Sequence, residues 1–151
     1  MKPKIVVLCG SSRFVDFMAV CAWLIERDEK AITMGLHLLP EWYCMEKIPD
    51  HLAEYEGVAE EMDALHLRKI DLADEIFVVN VNDYIGTSTA REIEYAKTAG
   101  KTIRWFTHDE VGKKVRGIID GCAPRYPWHP IESDLVPKLK ALQGEEAGKG
   151  C

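Results

Sequence analysis

The run KIVVLCG, at residues 4–10, constrains the fold of this chain most strongly. It is apolar at nearly every position and ends in a glycine, which is typical of a strand that is covered on both faces. Strands of this kind occur in parallel sheets that lie between two layers of helices. The run therefore predicts an α/β protein.

The order of the other segments supports a parallel sheet. Further strands are predicted at residues 31–34, 75–81 and 102–107, and helices at 13–28, 51–69, 90–99, 111–120 and 133–142. Strands that alternate with helices of this length predict a parallel sheet with helices on both faces. We expect a single domain over residues 1–151, in which about 144–151 form a frayed tail.

Two details of the helices are part of this prediction. The helix at residues 51–69 is expected to bury one apolar face, which consists of Leu52, Tyr55, Ala59, Met62 and Leu65. The helix at residues 90–99 ends at Gly100, which is a favourable residue just beyond a helix terminus.

Composition excludes several classes of partner. Hydrophobic residues make up 47% of the chain and charged residues 29%, as in a soluble globular domain. The net charge is −6 without a long basic run, so we expect no binding to nucleic acid or to an anionic membrane surface. No apolar stretch approaches the length of a membrane span. A small anionic ligand is compatible with this charge, because a helix N-terminus or an arginine can bind a phosphate.

The cysteines and the N-terminus indicate a compartment. The five cysteines form no C-x-x-C pair, and an odd number argues against a closed set of disulfides. Cys9 and Cys21 lie in apolar runs and are expected to be small buried side chains. The N-terminal apolar run is ended by Gly10 and Arg13 too early for a signal peptide. We therefore expect reduced thiols and a cytoplasmic location.

Ligands of parallel sheets bind beyond the carboxyl ends of the strands, and three loops leave that edge: CGSSR, NVNDYIGTST and THDE. The first, CGSSR, supplies Gly10, Ser11, Ser12 and Arg13 as candidates for binding a phosphate or a sugar. The alternative is that one serine only caps the following helix while Arg13 lies in solvent.

The second loop, NVNDYIGTST, leads from the third strand into a helix that carries Glu92 and Glu94. Asn80 could hydrogen-bond a base or a hydroxyl, or could form a turn. Glu92 allows two interpretations. It could form a capping box with Thr89, in which both side chains satisfy free backbone N–H groups, or it could face a ligand.

The histidines argue against a metal site. All five are scattered and show no zinc-ligand spacing, either among themselves or with the cysteines. His66 is expected to be a partly buried helix residue beside the apolar face. We predict no metal ion and no cofactor.

Three blocks of sequence resemble a known superfamily. VVLCGSSRF, LHLRKIDLADEIFVVNV and YIGTSTAREIEYAKTAGKTI, which fall within about residues 4–106, resemble the nucleoside 2-deoxyribosyltransferase-like superfamily, and within it a group of small bacterial and phage proteins. The resemblance implies a flavodoxin- or Rossmann-like three-layer fold with a parallel sheet of four to five strands. It also implies a homo-oligomer, which we expect to be a dimer, with Trp105, Tyr126 or Trp128 as possible interface aromatics.

The activity that the resemblance implies is N-glycosidic bond cleavage, or deoxyribosyl transfer, on a small (deoxy)nucleoside or its 5′-monophosphate. The superfamily nucleophile is the first glutamate of an E-x-G-Y-A segment, which corresponds to Glu92. The aspartate before the third strand corresponds to Asp74. The loop that helps to hold the 5′ end of the substrate corresponds to Gly10, Ser11 and Ser12.

The sequence departs from the superfamily pattern at two positions. Glu94 stands where glycine is frequent, and Gly86 stands where the transferases have an aspartate that contacts the substrate. Asp83 and Ser88 lie nearby and are candidate substitutes. These departures favour the alternative function, a nucleotide-binding or sensor protein without turnover.

The chemistry of the residues agrees with the implied reaction. A glutamate that attacks C1′ forms a glycosyl ester, which water or a second base then resolves with net retention. A carboxylate in the first turn of a helix is stabilised as the anion, so we expect Glu92 to suit a nucleophile. Protonation of the leaving base needs another group, for which Asp83, Asp74 and water are candidates.

Overall fold

The computed structural model describes residues 2–39, Tyr43 and residues 52–122. Its strands are β1 (Ile5–Cys9), β2 (Ile32–Met34), β3 (Glu75–Val78) and β4 (Thr102–Trp105). Its α-helices are α1 (Val15–Leu24), α2 (Leu52–Tyr55), α3 (Ala59–Leu72), α4 (Thr87–Thr98) and α5 (Glu110–Cys122). A 3₁₀ turn, Ser12–Phe14, precedes α1, and a π-helical turn, Ile25–Glu29, follows it. The predicted helix at 133–142, the tail at 144–151, Tyr126 and Trp128 lie outside the described residues.

The four strands form one parallel sheet in the order β2-β1-β3-β4. Side chains alternate between its two faces, because successive residues of a strand point in opposite directions. Val6 and Leu8 of β1 belong to a core with residues of α1 and α5. Val7 and Cys9 belong to a second core with residues of α3 and α4. The α/β three-layer prediction is confirmed.

Doubly wound sheets bind ligands in a crevice at the switch point of the strand order, which here lies between β1 and β3 at the carboxyl edge. From β1 the chain proceeds to β2 on one side, and from β3 it proceeds to β4 on the other side. The loops after β1 and β3 therefore diverge, as at the ligand-binding switch point of doubly wound sheets. Close packing at this point favours Gly10, because a Cβ there would lie 3.2 Å from the carbonyl oxygen of Val79, which is tighter than ordinary van der Waals contact.

The prediction of a helix at residues 51–69 is wrong in two respects, namely the continuity of the helix and its buried face. Gly57, at φ +74°, separates α2 from α3. Tyr55 and Leu65 are 59% and 44% exposed, whereas His66 and Ile70 are buried. Helix α2 has no buried residue, and the buried face of α3, which starts after the break, consists of His66 and Ile70.

The other predicted features agree in part. Cys9 and Cys21 are buried, as expected. Trp105 is half-buried and packs against the second core, so it is not the exposed interface aromatic that the sequence indicated. No helix in the described ranges is long and apolar enough to span a bilayer.

Candidate functional site

Three buried polar side chains from three different elements meet below the carboxyl end of β1. The Cys9 sulfur lies 3.4 Å from Nε2 of His66, and this nitrogen lies 3.6 Å from Oε1 of Glu92. The three atoms all lie within 4.8 Å of one another. The residues are 0%, 2% and 6% exposed, respectively. We call this group the Cys9–His66–Glu92 cluster.

Apolar neighbours hold the cluster in place. Cys9 is the last residue of β1 and faces the α3/α4 layer. His66 lies one turn before Ile70 on the buried face of α3. On α4, Glu92 is flanked by the buried Ile93 and lies one turn before the buried Ala96. The same packing that builds the second core therefore removes these polar groups from water.

Burial changes the ionisation of Glu92. Loss of solvation raises the pKa of its carboxyl group from 4.5 to about 8, and the negative charge of Asp63 acts in the same direction. A hydrogen bond with Cys9 and the charge of Arg91 lower the pKa by less. The neutral carboxylic acid is therefore the dominant form of Glu92 at pH 7.

The other two members of the cluster are also neutral. Burial, followed by the charge of Lys69, lowers the pKa of His66 to about 4. Burial and the neighbouring Glu92 raise the pKa of the Cys9 thiol well above its ordinary value. The contact between His66 and Glu92 is consequently not an ion pair at neutral pH, because desolvation opposes both charges.

Two atoms of the cluster have no hydrogen-bond partner among the described residues, although they are buried. They are Oε1 of Glu92 and Nδ1 of His66. A buried polar atom without a partner costs about 1–3 kcal/mol. Such atoms are rare in folded proteins and are frequent candidates for ligand contact.

The capping-box interpretation of Glu92 and the expectation that its helix stabilises the anion are both wrong. Helix α4 begins at Thr87 with Gly86 as its N-cap, and no side chain caps it. Glu92 thus lies beyond the first turn and forms no capping box with Thr89. Because burial and not the helix terminus dominates its environment, the carboxyl group favours the neutral form over the anion.

The loop after β1 has a structural role that accounts for part of its sequence. Oγ of Ser11 accepts a hydrogen bond from the backbone N–H of Arg13 at 3.3 Å and caps the 3₁₀ turn, which confirms the capping alternative for this serine. The Arg13 guanidinium lies 4.8 Å from the centre of the Tyr84 ring. Ser12 opens the turn and is half-buried. Arg13 therefore connects the loops after β1 and β3.

The loop after β3 carries four of the predicted substrate-binding or catalytic residues. Asn80 donates from Nδ2 to Oγ1 of Thr107 at 3.1 Å, and its Oδ1 accepts from the backbone N–H of Thr107 at 3.3 Å. Its amide thus links the ends of β3 and β4. Asp83 is exposed and has a left-handed backbone, at φ 62°. Gly86 and the exposed Ser88 form the start of α4.

Asp74 is not part of the carboxyl edge. It lies just before β3, and its Oδ2 accepts a hydrogen bond of 2.7 Å from the backbone N–H of Ile5, the first residue of β1. Both strands run parallel, so this contact lies at the amino edge of the sheet. The catalytic prediction for Asp74 is corrected accordingly: its carboxylate fixes the start of β1.

Comparisons with known proteins add no assignment. No family model matches the chain, and the searches of curated proteins and of solved structures find no significant match.

Sequence reasoning missed Cys9 and His66 as members of the site. Cys9 lies in an apolar run and His66 shows no zinc-ligand spacing along the chain, so the sequence predicts packing roles for both. Their positions in the fold are the signal that identifies them. Cys9 ends a strand at the ligand-binding edge, and His66 lies four residues before Ile70 on one helix face.

Proposed function

We propose that this protein cleaves the N-glycosidic bond of a nucleoside or nucleoside 5′-monophosphate, with Glu92 as the group that reacts at C1′. One observation carries the proposal: a buried carboxyl group with an unpartnered oxygen lies next to the switch crevice. Ionisable groups with strongly perturbed pKa values concentrate at active sites. The resemblance assigns the nucleophile to the same residue.

The reacting form of Glu92 is the carboxylate. Because burial raises the pKa of Glu92 to about 8, its proton is lost to solvent before the attack, and the neutral His66 lies 3.6 Å from Oε1. The carboxylate then bonds to C1′ while the C1′–N bond breaks and the base leaves with the electron pair. Water hydrolyses the resulting ester. Protonation of the leaving base is assigned to Asp83, because Asp83 lies at the carboxyl edge and Asp74 does not.

The loops above the crevice support a monophosphate as substrate. Ser11, Ser12 and Arg13 lie at the end of β1, and Tyr84 lies beside Arg13. A guanidinium and nearby hydroxyls are suited to a phosphate. Arg13→Ala should raise KM for a 5′-monophosphate at least about tenfold while it leaves KM for the nucleoside within about twofold.

A nucleotide sensor without turnover is the second candidate. The observation that favours it is the burial of Glu92, whose contacts are with Cys9 and His66. A neutral carboxyl group that is held by these contacts is suited to keeping a binding pocket uncharged. This role needs no attack on a sugar.

Base release from a panel of nucleosides and 5′-monophosphates, followed by chromatography in the presence of a chelator, separates these functions. Glu92→Gln and Glu92→Ala should abolish base release, and Glu94→Gln, at an exposed residue that pairs with Lys97, should retain it. Turnover in both Glu92 variants would reject the assignment. Tight binding without any free base would favour the sensor.

A homodimer is part of the proposal and is measurable by sedimentation equilibrium.

A further inference from the structure

We propose that Cys9, His66 and Glu92 form a binding site for a divalent transition metal of the Zn²⁺ class. The inference concerns a ligand that the proposed function does not use. It rests on the geometry of the cluster, on its donor atoms and on its unpartnered oxygen.

The distances fit a tetrahedral ion. With metal–sulfur bonds of about 2.3 Å and metal–nitrogen or metal–oxygen bonds of about 2.1 Å, tetrahedral angles place sulfur and nitrogen about 3.6 Å apart, and nitrogen and oxygen about 3.4 Å apart. The corresponding distances are 3.4 Å from Cys9 to His66 and 3.6 Å from His66 to Glu92. The third pair, sulfur and carboxylate oxygen, is within 4.8 Å, so the largest adjustment on metal binding falls on this pair.

The donor set selects the class of metal. A thiolate, an imidazole and a carboxylate suit Zn²⁺, Co²⁺ and related ions, whereas Mg²⁺ and Ca²⁺ require mainly oxygen ligands. Three protein ligands leave a fourth position for water or another small ligand, as in the open sites of zinc enzymes.

A bound ion would also satisfy the polar atom that the fold leaves without a partner. Oε1 of Glu92 is buried and accepts no hydrogen bond from the described residues. Coordination replaces that missing contact. All three residues are at most 6% exposed, so an ion must shed its water to enter the site.

The metal has a consequence for the reaction, which rests on the proposed function. A Glu92 carboxylate that coordinates an ion is not available to attack C1′. Zn²⁺ should therefore inhibit base release, and a chelator should restore it.

The test uses Co²⁺ as a spectroscopic probe and Zn²⁺ as a competitor. Cys44, Cys122 and Cys151 are further thiols that could bind Co²⁺. The parent for this test is therefore the triple variant Cys44→Ser, Cys122→Ser and Cys151→Ser. The parent should bind one Co²⁺ and show the intense visible and near-ultraviolet bands of a tetrahedral thiolate complex, which Zn²⁺ removes. Cys9→Ala, His66→Gln and Glu92→Gln should each weaken binding more than about 100-fold, beyond the effect of outer-shell changes.

Two variants serve as controls. Cys21→Ser alters the other buried thiol, which lies in the opposite core, and Glu94→Gln alters an exposed carboxylate on the same helix. Both should bind Co²⁺ as the parent does. Thermal unfolding gives a second readout, because Zn²⁺ should raise the Tm of the parent and of the controls but not that of Glu92→Gln.

Absence of a thiolate band in the parent would overturn the proposal, and so would unchanged binding in His66→Gln or Glu92→Gln. Glu92→Gln preserves side-chain volume, so it decides the question even if Cys9→Ala does not fold. Metal binding without base release would reject the proposed function alone. Base release without metal binding would reject the metal site alone.

Discussion

The substitution Glu92→Gln should stabilise the protein, and the gain should grow with pH. The carboxyl group is buried beside Cys9 and His66, and burial raises its pKa from 4.5 to about 8. A neutral amide of the same shape avoids the charge that appears when the carboxyl group ionises. The wild-type glutamate therefore lowers the stability of the folded protein at alkaline pH. Residues that reduce stability in this way are common at functional sites.

The magnitude follows from proton linkage. A folded-state pKa above the unfolded value means that the folded protein holds the extra proton, so stability is greatest below pH 4.5 and is lost as pH rises through about 8. The loss is about 1.4 kcal/mol per pH unit over this interval, which gives at most about 5 kcal/mol. This is the expected advantage of Glu92→Gln above pH 8.

The titration of His66 changes stability in the opposite direction, over a lower range of pH. Its pKa falls from 6.5 to about 4, so the unfolded chain binds the extra proton and stability rises with pH across that interval. In the wild-type protein the two effects cancel between about pH 4.5 and 6.5. A decline of about 2 kcal/mol should then appear between pH 6.5 and 8.

Urea unfolding with a chelator, at pH values from 5 to 9, measures these differences. The matched control is Glu94→Gln, whose wild-type side chain is exposed and pairs with Lys97, and its difference from wild type should stay within about 0.5 kcal/mol. A Glu92→Gln difference that is equally independent of pH would refute the reasoning. It would show that the carboxyl group is ionised at neutral pH in the folded protein.

Further predictions concern the scaffold. Gly112→Ala should destabilise the protein by about 3 kcal/mol, because a Cβ there would overlap the carbonyl oxygen of Phe106. Gly117→Ala, on the same helix with open space around it, should stabilise by about 0.5–1 kcal/mol; equal effects in urea unfolding would contradict this packing. Arg104→Leu should cost about 3 kcal/mol in the same assay, since it leaves three carboxylates without their shared partner, and an unchanged midpoint would show that the pairs contribute nothing.

The sequence predicts the strands well because their apolar runs are governed by burial on both faces. The run at residues 4–10 becomes β1, and the order of alternating elements leads to the parallel sheet. Helix faces are less predictable. The break at Gly57 shifts the buried face of α3 to His66 and Ile70, and apolar spacing before the break carries no information about that shift.

For the candidate site, the sequence predicts a location but not the cluster of side chains found there. The carboxyl edge follows from the strand order, and Glu92 follows from the resemblance. The cluster depends on contacts between residues 57 positions apart in the chain, namely Cys9 and His66, which no local spacing encodes. Asp74 shows the opposite case: its position just before the third strand suggested a catalytic role, but its carboxylate lies at the amino edge and binds the backbone of Ile5.

A trapped covalent intermediate is the most direct test of Glu92 as the nucleophile. Chelator-treated protein is incubated with 2′-fluoro nucleosides and their monophosphates, because the fluorine slows hydrolysis of the glycosyl ester. Trypsin cleavage after Arg91 and Lys97 releases a peptide that contains both Glu92 and Glu94, and fragmentation distinguishes the two. We predict a fluorosugar ester on Glu92 that Glu92→Gln lacks and Glu94→Gln retains. Release of base without an ester on Glu92, or with equal speed in Glu92→Gln, would contradict the account.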